Sequence, residues 1–323
     1  MKGNQNKVAG LIHKMIKYPY LIFFVMMTAG VCSRVGAQSY HFHNYTGDDG
    51  LSQLVAQALF QDRDGYIWIG TQAGLNCYDG FQFEIFSIEQ GLKNDWINAI
   101  TQDSAGAIWI ATNGGLSRWT PRSGFTNYTT THGLLDEQIL NLAIDKNGTV
   151  WCGTRSGLVF WDGSRFFAVA ENSGLPAAAI TVLLVDQGDR LWVGTETGLY
   201  VKKEKQFVAF AKKEIQNHKI YNLAKDPEGH LWVGAENEVW HFSGKRLLSY
   251  FSAADGLPAL SLNASRVGRD SSVWIGTENG LVEISHQKIK FIVPDNGLPF
   301  PRVRTLLEDR EGTLWVGGFG GVA

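Results

Sequence analysis

The residues best placed for chemistry are polar side chains at changing positions beside a tryptophan that does not change. Four residues after successive copies of that tryptophan stand Gln72, Asn113, Arg155, Glu196, Glu236 and Glu278. A second set falls between copies: Asn94, Asp95 and Trp96; Asp136, Glu137 and Gln138; Asn217, His218 and Lys219; Arg302 and Arg304. Amides, carboxylates and guanidinium groups beside an aromatic platform such as Trp96 suit sugar hydroxyls, because a small-ligand site fixes orientation with a few polar groups. The plainer reading of each is a solvated loop residue. Paired carboxylates such as Asp136 and Glu137 are the arrangement acid–base catalysis uses, yet adjacent surface carboxylates are usually just solvated. The eight histidines scatter along the chain, and His41 with His43 reads as a chance pair on one face of a strand. No metal site is therefore expected. Nucleophile elbows, phosphate loops and kinase signatures do not occur, so neither a catalytic residue nor a cofactor is expected.

The elements that must position these side chains follow from a repeat. Tryptophan recurs as Trp68, Trp109, Trp151, Trp192, Trp232, Trp274 and Trp315, at spacings of 41, 42, 41, 40, 42 and 41. That period suggests propeller blades or helical arrays, and local pattern decides between them. Around each tryptophan the text is Ile-Trp-Ile-Gly-Thr or close to it, as in Ile67 to Thr71 and Val273 to Thr277. β-Branched and aromatic runs of this length are strands. Six residues earlier stands an aspartate (Asp62, Asp103, Asp145, Asp186, Asp226, Asp309), usually followed by glycine three before the tryptophan. Asp-x-x-Gly between two apolar runs is a hairpin turn. Repeat six breaks it with Gly268 and Ser271. Eighteen residues before the tryptophan lies Gly-Leu, absent only from repeat five, which has Glu214-Ile215. Four strands in each repeat make one blade, and each blade hides its apolar face against its neighbours. The fold class is all-β, a seven-bladed propeller of four-stranded blades, in which the seven tryptophans pack blade on blade.

Strands alternate in direction, so the loops sort to two faces. The Asp-x-x-Gly turns occupy one face and repeat nearly unchanged. The loops carrying the polar residues above occupy the other and vary. Scaffold turns repeat because geometry demands them, whereas binding residues tend to differ on loops. The varied face is therefore the candidate ligand site.

Composition bounds the class. Hydrophobic residues make up 44%, aromatics 12% and charged residues 19%. Net charge is −2 with no basic block, which argues against nucleic acid. Residues 1–37 read as an export signal: Lys2, Lys7, Lys14 and Lys17, an apolar run from Leu21 to Val31, then Val35-Gly36-Ala37 as a small-residue cleavage pattern. An uncleaved anchor is the alternative, although the run is about half of a spanning helix. Val31 is bulky for the residue before a lipidated Cys32. Cys77 and Cys152 fall in different columns of non-adjacent repeats, so no disulfide is expected. Residues 38–323 form the propeller. Tyr40 to Thr46 resemble an outer strand and can complete the last blade, whose third strand looks missing, so the chain reads as truncated at its C-terminal end.

At Asp-x-x-Gly-x-Leu-Trp-Val-Gly-Thr-x-x-Gly-Leu, with Gly-Leu-Pro upstream as in Gly297-Leu298-Pro299, the chain resembles the two-component regulator propeller repeat over residues 40–323. That repeat is found in the periplasmic half of hybrid histidine-kinase receptors. The resemblance implies a signal peptide, tandem propellers, a membrane helix and downstream kinase domains, hence a native protein in the inner membrane. It implies oligosaccharide sensing, a kinase module in the same longer polypeptide and a homodimer. The chain is also similar to streptogramin-lyase-like propellers, whose repeats carry Asp-x-x-Gly and Trp. In that enzymatic alternative His218 with Glu236 or Glu278 would face each other. A scaffold for protein partners is the third reading.

Overall fold

The a–b hairpin of each blade is built by one carboxylate. In blade 1, Asp62 Oδ1 accepts the backbone N–H of Asp64 and of Tyr66, both at 3.0 Å, and Gly65 takes φ +100° to close the turn. The second oxygen, Oδ2, accepts the indole N–H of Trp68 at 2.7 Å. The aspartate thus joins turn to core. The same indole bond recurs on Asp103, Asp145, Asp186 and Asp309 at 2.8–3.0 Å. In repeat six Ser271 takes the positive φ (64°) and Asp270 accepts the N–H of Ser272, so the turn survives without the usual glycine.

The computed structural model describes residues 40–258 and 262–323. The export signal and Cys32 lie outside the described residues. Among the described residues, twenty-seven strands form seven antiparallel sheets, six of four strands and one of three. Blade 1 runs as strand a Ala56–Gln61, b Ile67–Thr71, c Leu75–Tyr78 and d Phe83–Phe86. Blades 2 to 6 repeat this order. Strand a of every blade packs on strand a of the next, and that of blade 7 (Val303–Glu308) packs on that of blade 1. The seven innermost strands therefore form a closed ring.

Packing between blades explains the rest of the repeat. A Cβ on Gly153 of strand b would lie 2.7 Å from Ile180 of the next blade's strand a, and one on Gly276 would lie 2.5 Å from Val303. The glycine after Trp-x lets the neighbouring blade approach. The Gly-Leu element ends a short 3-10 turn, where Gly91 at φ +104° caps Ile88–Gln90. The leucine after it is a plug: Leu134 and its counterparts Leu51, Leu92, Leu257 and Leu298 are buried between blades. Blade 5 replaces the 3-10 turn with a one-turn helix, Lys212–Ile215, and the fully buried Ile215 fills the place of the leucine.

The last blade corrects the expectation that its third strand is missing. Gly321–Val322 is a short strand c beside strand b, Leu314–Gly318. The N-terminal segment then adds to it through one residue rather than a full strand: Tyr45 N–H donates to Val322 O at 2.7 Å, and Val322 N–H donates to Tyr45 O at 3.1 Å. The Tyr45 ring stacks on Trp315 with centroids 5.8 Å apart. Cys77 and Cys152 are free thiols. Among the described residues no helix is long and apolar enough to cross a membrane.

Candidate functional site

The varied face is held by two kinds of loop. The b–c loop is an ST turn: Thr71 Oγ1 donates to Gly74 O at 2.9 Å and accepts the N–H of Ala73 at 3.0 Å. Fully buried threonines do the same at Thr112, Thr154, Thr195 and Thr277. The residue that follows each threonine therefore starts from an equivalent backbone position. These are Gln72, Asn113, Arg155, Glu196 and Glu278. Blade 5 has Ala235 in place of threonine, so the loop around Glu236 is built differently.

The second kind is a bulge at the start of strand a. The register skips one residue against strand b in blades 1, 2, 3, 4, 6 and 7. The extra residues are Gln57, Asn98, Leu140, Thr181, Asn263 and Arg304. Bulges re-aim side chains and are common beside sites. Asn98 Nδ2 reaches the next blade's Ile139 O at 2.8 Å, and Asn263 Nδ2 reaches Val303 O at 2.9 Å. These asparagines line the inner ring, and the sequence reading passed over them. Their signal was an amide second in strand a, after an apolar residue and before alanine, which is indistinguishable in sequence from an outward strand residue.

The structure brings some expected residues together. Asn113 Oδ1 accepts from both Asn98 and Gln138, at 2.8 and 2.9 Å. Glu278 accepts from Asn263 at 3.1 Å and pairs with Arg302 and Arg304 at 3.4 Å each. Both guanidinium groups also lie 5.2 Å from the centre of the Phe319 ring. Glu196 pairs with Lys219 at 3.2 Å. Other expected residues serve their own loops. Asp95 Oδ1 accepts the N–H of Ile88 at 2.9 Å, Asn94 Oδ1 accepts that of Trp96 at 2.9 Å, and Asp136 Oδ1 accepts that of Gln138 at 3.0 Å. Trp96 is 39% exposed, and Arg155 and Glu236 are exposed. A cleft of about 490 Å³ is lined by Leu135, Ser156, Leu158, Leu175 and Pro176 and does not include Arg155.

His218 does not face Glu236 or Glu278. It lies 3.0 Å from Glu238, which also accepts from the Tyr250 hydroxyl. Its other nitrogen, Nδ1, is buried without a partner, and its ring meets Trp240 edge-on at 5.1 Å. His218 is thus a half-exposed imidazole held by a carboxylate, with 41% of its side chain reaching solvent.

The expectation of scattered histidines is corrected on the opposite face. His230 and His241 meet on Asp226, because a hairpin places strand c (Val239–Ser243) beside strand b (Leu231–Gly234) and so sets His241 opposite Trp232. Asp226 gives its Oδ2 to the two imidazoles, and the indole N–H of Trp232 is left without a partner. A buried donor left unpaired costs about 1–3 kcal/mol. Burial pushes His241 below the ordinary imidazole value, against the pull of Asp226.

A family model described as the two component regulator propeller matches residues 50–73, 91–114, 133–156, 214–237 and 297–320. These are two-component regulator propeller repeats. The repeat at blade 5 is matched despite its altered turn, while those of blades 4 and 6 fall outside the matched segments. The histidine kinase P4 of Formosa agariphila is 36% identical over 67 residues, which is 20% of this chain and 5% of that protein. The extracellular domain of a putative hybrid two component system from B. thetaiotaomicron superposes with a TM-score of 0.75 at 21% identity, over 88% of this chain and 41% of that one. Virginiamycin B lyase from Staphylococcus aureus superposes with a TM-score of 0.70 at 14% identity, over 87% and 96%. The chain spans about two-fifths of the receptor domain and a small part of the kinase. At these identities the superpositions speak for the propeller fold alone.

Proposed function

We propose that this chain is the ligand-sensing propeller of a two-component signalling receptor. It is exported to the periplasm by residues 1–37, binds an oligosaccharide on the varied face, and relays occupancy to a histidine kinase module in the same longer polypeptide. The observation that carries this reading is the cluster across blades 6 and 7. Glu278, Arg302 and Arg304 converge beside Phe319, with Asn263 on the carboxylate. Convergent donors and acceptors beside a ring are what a polyhydroxylated ligand needs. The repeat itself, the likeness to a histidine kinase and the shared fold with a receptor's extracellular domain support the signalling context.

A thermal-shift screen of the purified chain against oligosaccharides tests the reading. A ligand that binds only the folded state raises the melting temperature by mass action. A shift with one glycan class, lost in Arg302→Ala and reduced in Trp96→Ala, is the expected result. Shifts that survive Arg302→Ala would move the site elsewhere. No shift with any glycan would favour a protein ligand and the scaffold reading.

A further inference from the structure

Blade 5 departs from its siblings at one point on the face opposite the varied loops. In five blades the turn aspartate gives Oδ2 to the indole N–H of its tryptophan. In blade 5 that oxygen lies 3.1 Å from His230 Nδ1 and 3.1 Å from His241 Nε2. The three ligand atoms all lie within 4.8 Å of one another. Trp232, only 8% exposed, keeps an N–H with no acceptor. The fold forgoes a bond it makes elsewhere, and a pair of hydrogen-bonded imidazoles does not explain why the donor is abandoned.

We propose that Asp226, His230 and His241 form a site for a zinc-class divalent cation. Two imidazoles and a carboxylate are the donor set such ions take. Ligands at about 2.0 Å from a tetrahedral metal stand about 3.3 Å apart, and the two nitrogens meet the carboxylate oxygen at nearly that separation. The second shell is present for His241: with Nε2 toward Asp226, its Nδ1 faces the Ser249 hydroxyl at 3.4 Å. Such a contact fixes the ring and its tautomer. The ring also lies flat on the Trp232 indole, with centroids 3.9 Å apart, which holds its plane. Lys225 is turned away, onto Gly229 O at 2.7 Å and Asp186 at 3.6 Å. Side-chain exposure is 30% at His230 and 15% at His241, so the cluster is reached from solvent. With three protein ligands, a solvent or partner group would complete the shell. The site is independent of the ligand face and of any sugar.

The test uses Zn²⁺ and Co²⁺ alone on the full chain after chelator treatment. Titration calorimetry is expected to show one Zn²⁺ per chain, and Co²⁺ to give the visible absorption of a four-coordinate nitrogen and oxygen site. His230→Thr and His241→Val borrow residues found at the same places in other blades, Thr149 and Val201, so each variant keeps a side chain the blade accepts. Each is expected to weaken Zn²⁺ binding at least about tenfold. The double variant is expected to lose binding while keeping the circular dichroism of the parent. Chelator should lower the melting temperature of the zinc-loaded parent and leave the double variant unchanged. Absence of Zn²⁺ binding in the folded parent overturns the proposal, as does binding of equal strength in the folded double variant.

Discussion

At the scale of single residues, the turn aspartate carries more than its turn. Asp62→Ala removes the acceptor for two backbone N–H groups and strands the indole of Trp68, which is 2% exposed. A loss of about 2–3 kcal/mol is expected, read as a lower urea midpoint. Asp186 adds a pH dependence. Burial alone would raise its carboxyl, but hydrogen bonds from the Trp192 indole and from the backbone and guanidinium of Arg190 hold it below the ordinary value. A depressed carboxyl contributes stability above the unfolded value and loses it as pH falls through the folded one. The parent should therefore lose more unfolding free energy between neutral pH and about pH 3 than the Asp186→Asn variant does, read by urea unfolding at each pH. The thiols behave oppositely. Burial, then Asp62, Glu84 and Asp79, pushes Cys77 up to about 12, and burial raises Cys152. At pH 8 the Cys77 thiolate is therefore scarce. Mass-mapped alkylation should spare both in the native protein and modify both in denaturant.

At the scale of elements, the leucine plug and the repeated tryptophan fill the same seam between blades. Leu134 sits in a cluster with Trp109, Ile139 and Phe166, which spans blades 2 and 3. Leu134→Ala leaves a cavity that two blades cannot both collapse into, and a cost of about 2–4 kcal/mol is expected by thermal unfolding. Blade 5 shows that the requirement is for volume and not for the Gly-Leu spelling, since Ile215 fills the space from a helix. The b–c loops follow the same logic. A buried threonine keeps the loop shape while the next residue varies freely, which is how one scaffold carries Gln72, Arg155 and Glu278 at equivalent backbone positions.

At the scale of the whole molecule, closure makes the blades interdependent. An open array of repeats unfolds in pieces, because each contacts only its neighbours. Here the first and last blades also meet, and Tyr45 latches onto Val322. Tyr45→Pro removes the N–H of that latch and its ring contacts with Tyr78, Phe83 and Trp315. Calorimetry should show a lower and broader transition than the single cooperative one expected of the parent. Size-exclusion chromatography should show association through the exposed edge of the last blade.

The period of the tryptophans, the Asp-x-x-Gly turns and the split into a constant and a varied face were legible in the sequence, because short-range rules produce them. A hairpin needs its turn residues at fixed spacing, and a blade needs its apolar positions in alternation. What lay beyond the sequence was long-range pairing. Nothing local marks Tyr45 and Val322 as partners, Asn98 and Asn263 as bulge residues that reach the next blade, or Arg302 and Arg304 as sharing Glu278. Nor does spacing place His241 on Asp226, fifteen residues away, until strand c folds beside strand b. The repeat determined the ring and its two faces, whereas only the closed tertiary structure decided which side chains meet, because those meetings depend on register between strands and on contact between blades.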